Sequence, residues 1–171
     1  MQAEDTRHDP MRTGPEKETL EEFLEYHRDT LLWKLSGLSD LDLRRQMVPS
    51  GVSLLGIVKH LGFVEQNWFF GFAGLEYETA VPWTDEDPDA DFRIEPAETT
   101  EAILDFYRAT CARSREIVAG ASLDDISRRS EVPPEGLPTL RWILIHMIEE
   151  TARHNGHADI LREQIDGATG E

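Results

Sequence analysis

Apolar residues recur every three or four positions along four stretches of this chain. No stretch alternates them as a half-buried strand does, so the sequence predicts an all-α protein. The first helix is expected over 15–48, opening at Pro15, a residue suited to a first helical turn. Its stripe is Leu20, Phe23, Leu24, His27, Leu31, Leu35 and Leu38, with Glu18, Glu21, Glu22 and Arg28 off it. Ser39 and Asp40 can cap a new turn, which marks a break point near Leu38. Ser53 caps a second helix, 53–74, apolar nearly all round and therefore expected deep in the fold. Thr99 or Thr100 caps a third, 99–120, with Ile103, Phe106, Tyr107, Thr110, Ser114 and Ile117 as its stripe. Thr139 caps a fourth, 139–165. The expected architecture is a four-helix bundle over 15–166, with 1–14 a frayed leader and 167–171 a tail.

Between helices 2 and 3 runs a long crossover, VPWTDEDPDADFRIEPAETT, with three prolines, seven acidic residues and one Arg. Such a segment suits the outside of a bundle. Its carboxylates are expected in solvent, with Trp83, Phe92 and Ile94 as its anchoring contacts. The halves also resemble each other. SDLDLRR, then a Pro-Ser-Gly break, then Ser53 with His60 seven residues on, parallels SLDDISRR, a Pro-Pro-Glu-Gly break, and Thr139 with His146 seven residues on. This pairing suggests a duplicated hairpin.

Charge narrows the partners. The formal net charge is −17, which repels nucleic-acid phosphates and anionic membrane surfaces alike. No apolar run is long enough to span a bilayer, and the first fifteen residues lack the apolar core of a secretory signal, so a cytoplasmic protein is expected. Cys111 is the single cysteine, so no disulfide can form within the chain. It is expected to pack as a buried small hydrophobe, since no neighbour in the sequence suggests an activated thiolate.

Three of the six histidines crowd the string HMIEETARHNGH of helix 4. His146, Glu150, His154 and His157 share one helical face at successive turns, and a Glu and a His at i, i+4 can offer an oxygen and a nitrogen to one point. A third ligand must come from another helix. His60, on the most apolar helix, is the outstanding candidate, because an imidazole there has to be paired, neutral or coordinated. Two imidazoles and a carboxylate leave positions for water or substrate, the style of a catalytic centre. Parallel packing of helices 2 and 4 would set His60 against His146, antiparallel packing against Glu150, His154 and His157; the spacing leaves both open. His8 and His27 read as surface or hydrogen-bonded residues. Asn67 and Trp68, seven and eight residues after His60, can line a pocket or, for Trp68, pack the core, and His157 can orient a ligand or a substrate. Gly156 either allows close helix approach or is merely tolerated.

The segments PSGVSLLGIVKHLGFVEQNWF and LRWILIHMIEETARHNGHADILRE resemble the two signature segments of the DinB/YfiT-like superfamily. They are most similar to the actinobacterial branch that includes the mycothiol-dependent maleylpyruvate isomerase and the mycothiol S-transferases, over residues 18–166. The resemblance implies a divalent metal, zinc or nickel, held by His60, Glu150 and His154. Glu at position 150 departs from the all-His ligand set of many members and agrees with the thiol-dependent branch. It also implies a co-substrate thiol of the mycothiol type, whose sulfur binds the metal as thiolate and attacks an electrophilic small molecule, so no catalytic residue of the chain itself is named. Arg outnumbers Lys fourteen to three, a bias of high-GC genomes that fits this branch. The isomerase's extra C-terminal domain has no counterpart within this length. Metal-dependent hydrolysis, with the same site activating water, is the alternative chemistry; a non-catalytic stress or interaction bundle is the alternative class. Apolar helices of this kind often associate, which makes a homodimer an open expectation.

Overall fold

The computed structural model describes residues 5, 7–130, 132–133 and 135–169. Three of the long helices begin where a hydroxyl closes the first turn: Ser53 accepts from the Gly56 N–H, Thr99 from Ala102 and Thr139 from Trp142. α1 (Glu16–Leu35) stops earlier than the spacing predicts. Ser36 donates from both its backbone N–H and its hydroxyl to the Trp33 carbonyl, and Gly37 turns the chain out at a φ of 76°. A separate short turn, α2 (Asp40–Leu43), follows under a Ser39 cap, so the single helix expected over 15–48 is two.

α3 (Leu54–Glu65) continues through a π-helical turn, Gln66–Phe70, into α4 (Gly71–Ala73). After the crossover come α5 (Thr100–Ala119) and α6 (Leu140–Asp166). The result is an all-α bundle with no strand among the described residues and one isolated bridge, Ile126 to Thr139. That bridge separates the two segments paired on sequence, since SDLDLRR contains α2 while SLDDISRR is turn and bridge.

α1 packs chiefly along α6 and α3 along α5, and α3 also meets α6. As expected of the most apolar helix, Leu54, Leu55, Ile57 and Val58 on α3 are fully buried, each side chain stabilising the fold by about 1.5–3 kcal/mol. Charged side chains are buried as well, Arg28 and Glu65 among them. Arg28, expected off the buried stripe, donates from Nε and Nη2 to the two carboxylate oxygens of Glu65 at 2.7 and 2.6 Å, and both side chains are almost fully enclosed. Cys111 is buried as expected, and Gly156 has open space where a Cβ would stand, so it is a tolerated glycine and not a site of close approach.

The crossover is pinned to α3. Gly56 makes room for it, because a Cβ there would collide with the Phe92 carbonyl oxygen. Lys59 donates to the Arg93 carbonyl at 2.7 Å and to Glu98 at 2.8 Å, and the Gln66 amide pairs with the backbone of Thr79. Phe92 and Ile94 pack against the core and Trp83 meets the Phe63 ring edge-on, the three contacts expected. One expectation fails: Asp91, in the 3-10 turn Ala90–Phe92, is 2% exposed, not solvated. Ahead of α1, Arg7 donates to the Thr30 hydroxyl at 2.8 Å and lies over the Trp33 ring at 4.2 Å; residues 1–4 and 6 of the expected leader and 170–171 of the expected tail lie outside the described residues.

Candidate metal centre

α3 and α6 run antiparallel. His60 faces Glu150 and His154, while Trp68, eight residues further on in the π-helical turn that continues α3, faces His146 and Trp142, eight to twelve residues back along α6 from His154. The alternative that set His60 against His146 is thereby excluded by packing.

His60, Glu150 and His154 each offer one ligand atom, and the three atoms lie within 4.8 Å of one another. Glu150 Oε1 is central, 3.4 Å from His60 Nε2 and 3.3 Å from His154 Nε2. These distances are long for charge-assisted hydrogen bonds, which run to about 2.9 Å. They match the edge of roughly 3.3 Å between neighbouring donors on a tetrahedral zinc with bonds of about 2.0–2.1 Å. All three side chains are largely buried in the groove. Glu150 and His154 stand one helical turn apart on α6, whereas His60 is delivered from α3, which Ile57 and Leu61 anchor in the core.

The other nitrogen of His60 is held too. Nδ1 donates to Asp91 Oδ2 at 2.7 Å, and Phe92 stacks on the imidazole with ring centroids 3.9 Å apart and planes 14° apart. A carboxylate behind a histidine fixes the tautomer that turns Nε2 and its lone pair toward a cation. The sequence reading missed Asp91, one of seven acidic residues in its segment; its position directly before Phe92, an expected anchor, is the signal that could have found it. Burial pushes the His60 pKa down, but the hydrogen bonds to Asp91 and Glu150 outweigh it and the net shift is upward. The two histidines together hold the Glu150 carboxyl far below the usual carboxylate range, His154 most strongly. His154 Nδ1 is buried without a hydrogen-bond partner. Two imidazoles, one carboxylate and a buried aspartate behind the first imidazole make a donor set suited to a divalent transition metal, with coordination positions left for other ligands.

The remaining candidates flank the three. His157 is exposed, its ring edge-on to His154 at 5.5 Å. His146 stacks on Trp142 and meets Trp68 edge-on, forming an aromatic wall away from the ligand atoms. Asn67 is engaged by Arg129, which donates to its carbonyl and side-chain oxygens, and by the Tyr77 hydroxyl. His27 is half-buried on α1, and His8 is exposed. Burial and the nearby Glu65 carboxylate push the Cys111 thiol far up, so the chain's own sulfur is no nucleophile.

Comparison with known proteins follows the geometry. Residues 19–167 match the family model described as mycothiol-S-transferase. No curated protein matches the chain. Among solved structures, one described as the conserved protein of a locus from Enterococcus faecalis superposes with a TM-score of 0.65 at 15% identity, covering 91% of this chain and 100% of that one; at such identity the likeness is one of fold.

Proposed function

The chain belongs to the mycothiol S-transferase family, and from that premise we propose that it is a divalent-metal-dependent S-transferase joining a low-molecular-weight thiol of the mycothiol type to an electrophilic small molecule. The observation that carries this reading is the convergence of His60 Nε2, Glu150 Oε1 and His154 Nε2 on one point, with Asp91 behind His60. A divalent cation held there, zinc or nickel as the family resemblance implies, would supply Lewis acidity that favours the thiolate form of an incoming thiol at neutral pH.

The chain's own residues do the rest. Asp91 keeps the His60 proton on Nδ1, leaving Nε2 as a donor. Glu150 contributes a negative charge that stays ionised across the physiological range. Phe92, stacked on the His60 imidazole, covers one side of that ligand. Because Cys111 is enclosed and protonated, the attacking sulfur is the co-substrate's.

Elemental analysis of the purified protein tests the first half: about one equivalent of metal is expected, lost in His60→Ala, Glu150→Ala and His154→Ala and kept in His146→Ala. The second half is tested by consumption of an electrophile with and without mycothiol. Turnover that needs the metal but not the thiol would replace transfer with hydrolysis. Loss of metal in His146→Ala but not in Glu150→Ala would overturn the ligand set.

A further inference from the structure

A cavity of about 310 Å³ adjoins the metal-ligand groove at the end away from the Trp68 and Trp142 wall. His154 is part of its lining, and so is Phe92, the ring stacked on His60, so the cavity lies one side chain from the ligand atoms. The rest of its wall is mainly apolar, built by Val52 ahead of α3 and by Ile160 and Leu161 on α6. Ser50 and His157 are the other polar side chains that line it, and among the described residues no Lys, Arg, Asp or Glu does. Ile160 and His157 are exposed and form its rim.

These features select a ligand by charge and size. A carboxylate placed here would lose its water with no Lys or Arg side chain to pair with, and a chain of net charge −17 repels anions at long range. A cavity of roughly 150 Å³ already takes a benzene ring, so this one has room for a substituted ring or a short alkyl chain. The geometry points to this cavity as the seat of the electrophile's uncharged, apolar group, an assignment that rests on the thiol-transfer reading and narrows it to neutral electrophiles. With an aryl chloride seated there, the thiolate sulfur forms the new carbon–sulfur bond and the carbon–chlorine bond breaks. Chloride leaves with the bonding pair, and the thiol proton passes to solvent. His157 and Ser50 supply the cavity's hydrogen-bonding side chains.

Two measurements on the full chain test this. Binding of toluene and of benzoate to the protein as purified, without thiol, is read by saturation-transfer NMR. Transfer of mycothiol to 1-chloro-2,4-dinitrobenzene and to 4-chloro-3,5-dinitrobenzoate is read as kcat/KM, each over its uncatalysed rate. Toluene is expected to bind and benzoate not, with the toluene signal lost in Val52→Asp. The neutral chloride is expected to be preferred at least tenfold, and Ile160→Arg, which brings a cation to the exposed rim, should narrow that preference several-fold even where Val52→Asp fails to fold. Equal turnover of the two chlorides, or toluene binding undiminished in a folded Val52→Asp, would overturn the assignment. Toluene binding that is sensitive to Val52→Asp, with neither chloride consumed, would support the cavity and overturn the thiol-transfer reading instead.

Discussion

In the proposed metal site Asp91 acts from behind a ligand, through His60. Its hydrogen bond orients His60 and raises the basicity of Nε2, an arrangement whose loss typically lowers metal affinity about 10- to 100-fold. Asp91→Asn is therefore expected to weaken metal binding by about that factor in a competition titration against a chelating dye, with the helical circular dichroism unchanged. The same cluster makes stability depend on pH. In the metal-free protein the raised His60 pKa contributes stability that is complete below the ordinary value of 6.5 and is lost as pH rises through the folded value. The depressed Glu150 contributes above its ordinary 4.5, and that contribution is lost only as pH falls through the much lower folded value. Both act together between about 4.5 and 6.5, so the chelator-treated protein should lose melting temperature from pH 6 to pH 8 relative to His60→Gln. Metal binding runs the other way, since the cation displaces the proton from His60, and affinity should rise over the same interval.

At the scale of elements, two contacts hold the groove in shape. Arg28 on α1 and Glu65 at the end of α3 form an enclosed bidentate pair. Removing one partner leaves a buried charge uncompensated, which typically costs about 3–5 kcal/mol, whereas replacing both with apolar residues of similar size is often neutral. Arg28→Ala should destabilise by about that amount in urea unfolding, and Arg28→Met with Glu65→Leu should recover most of it. Gly56 is the second contact, the place where the crossover backbone lies on α3. Gly56→Ala forces the Phe92 carbonyl away and takes Asp91 with it. Metal affinity is therefore expected to fall together with melting temperature, and a melting-temperature loss with unchanged metal affinity would show that Asp91 moves independently of the contact.

For the whole molecule, the proposed site would join metal binding and folding in one equilibrium, because its three residues come from α3 and α6, which are brought together only in the native state. Free metal at a hundredfold excess over its dissociation constant stabilises the native state by about 2.7 kcal/mol. In a chain of this size that corresponds to a rise in melting temperature of roughly 5–10 °C over the chelated protein, absent in His154→Ala. The predominantly acidic surface also means that moderate salt should stabilise the metal-free form by screening its self-repulsion.

The sequence by itself determined the helices and three of their caps, because a 3.6-residue stripe and a hydroxyl before it are local facts: Ser53, Thr99 and Thr139 cap where they were expected to. It also marked His60, Glu150 and His154, since an imidazole on an apolar helix and a Glu one turn from a His are visible without coordinates. Tertiary structure alone decided the direction in which α3 meets α6, and with it that His146 stands among tryptophans and not beside His60, Glu150 and His154. It alone placed Asp91 behind His60, across 31 residues of chain, and paired Arg28 with Glu65 across 37. Periodicity reports which face of an element avoids water, but partners distant in sequence are chosen by packing. A charge that finds such a partner leaves the solvent that its residue type and local pattern would otherwise assign to it.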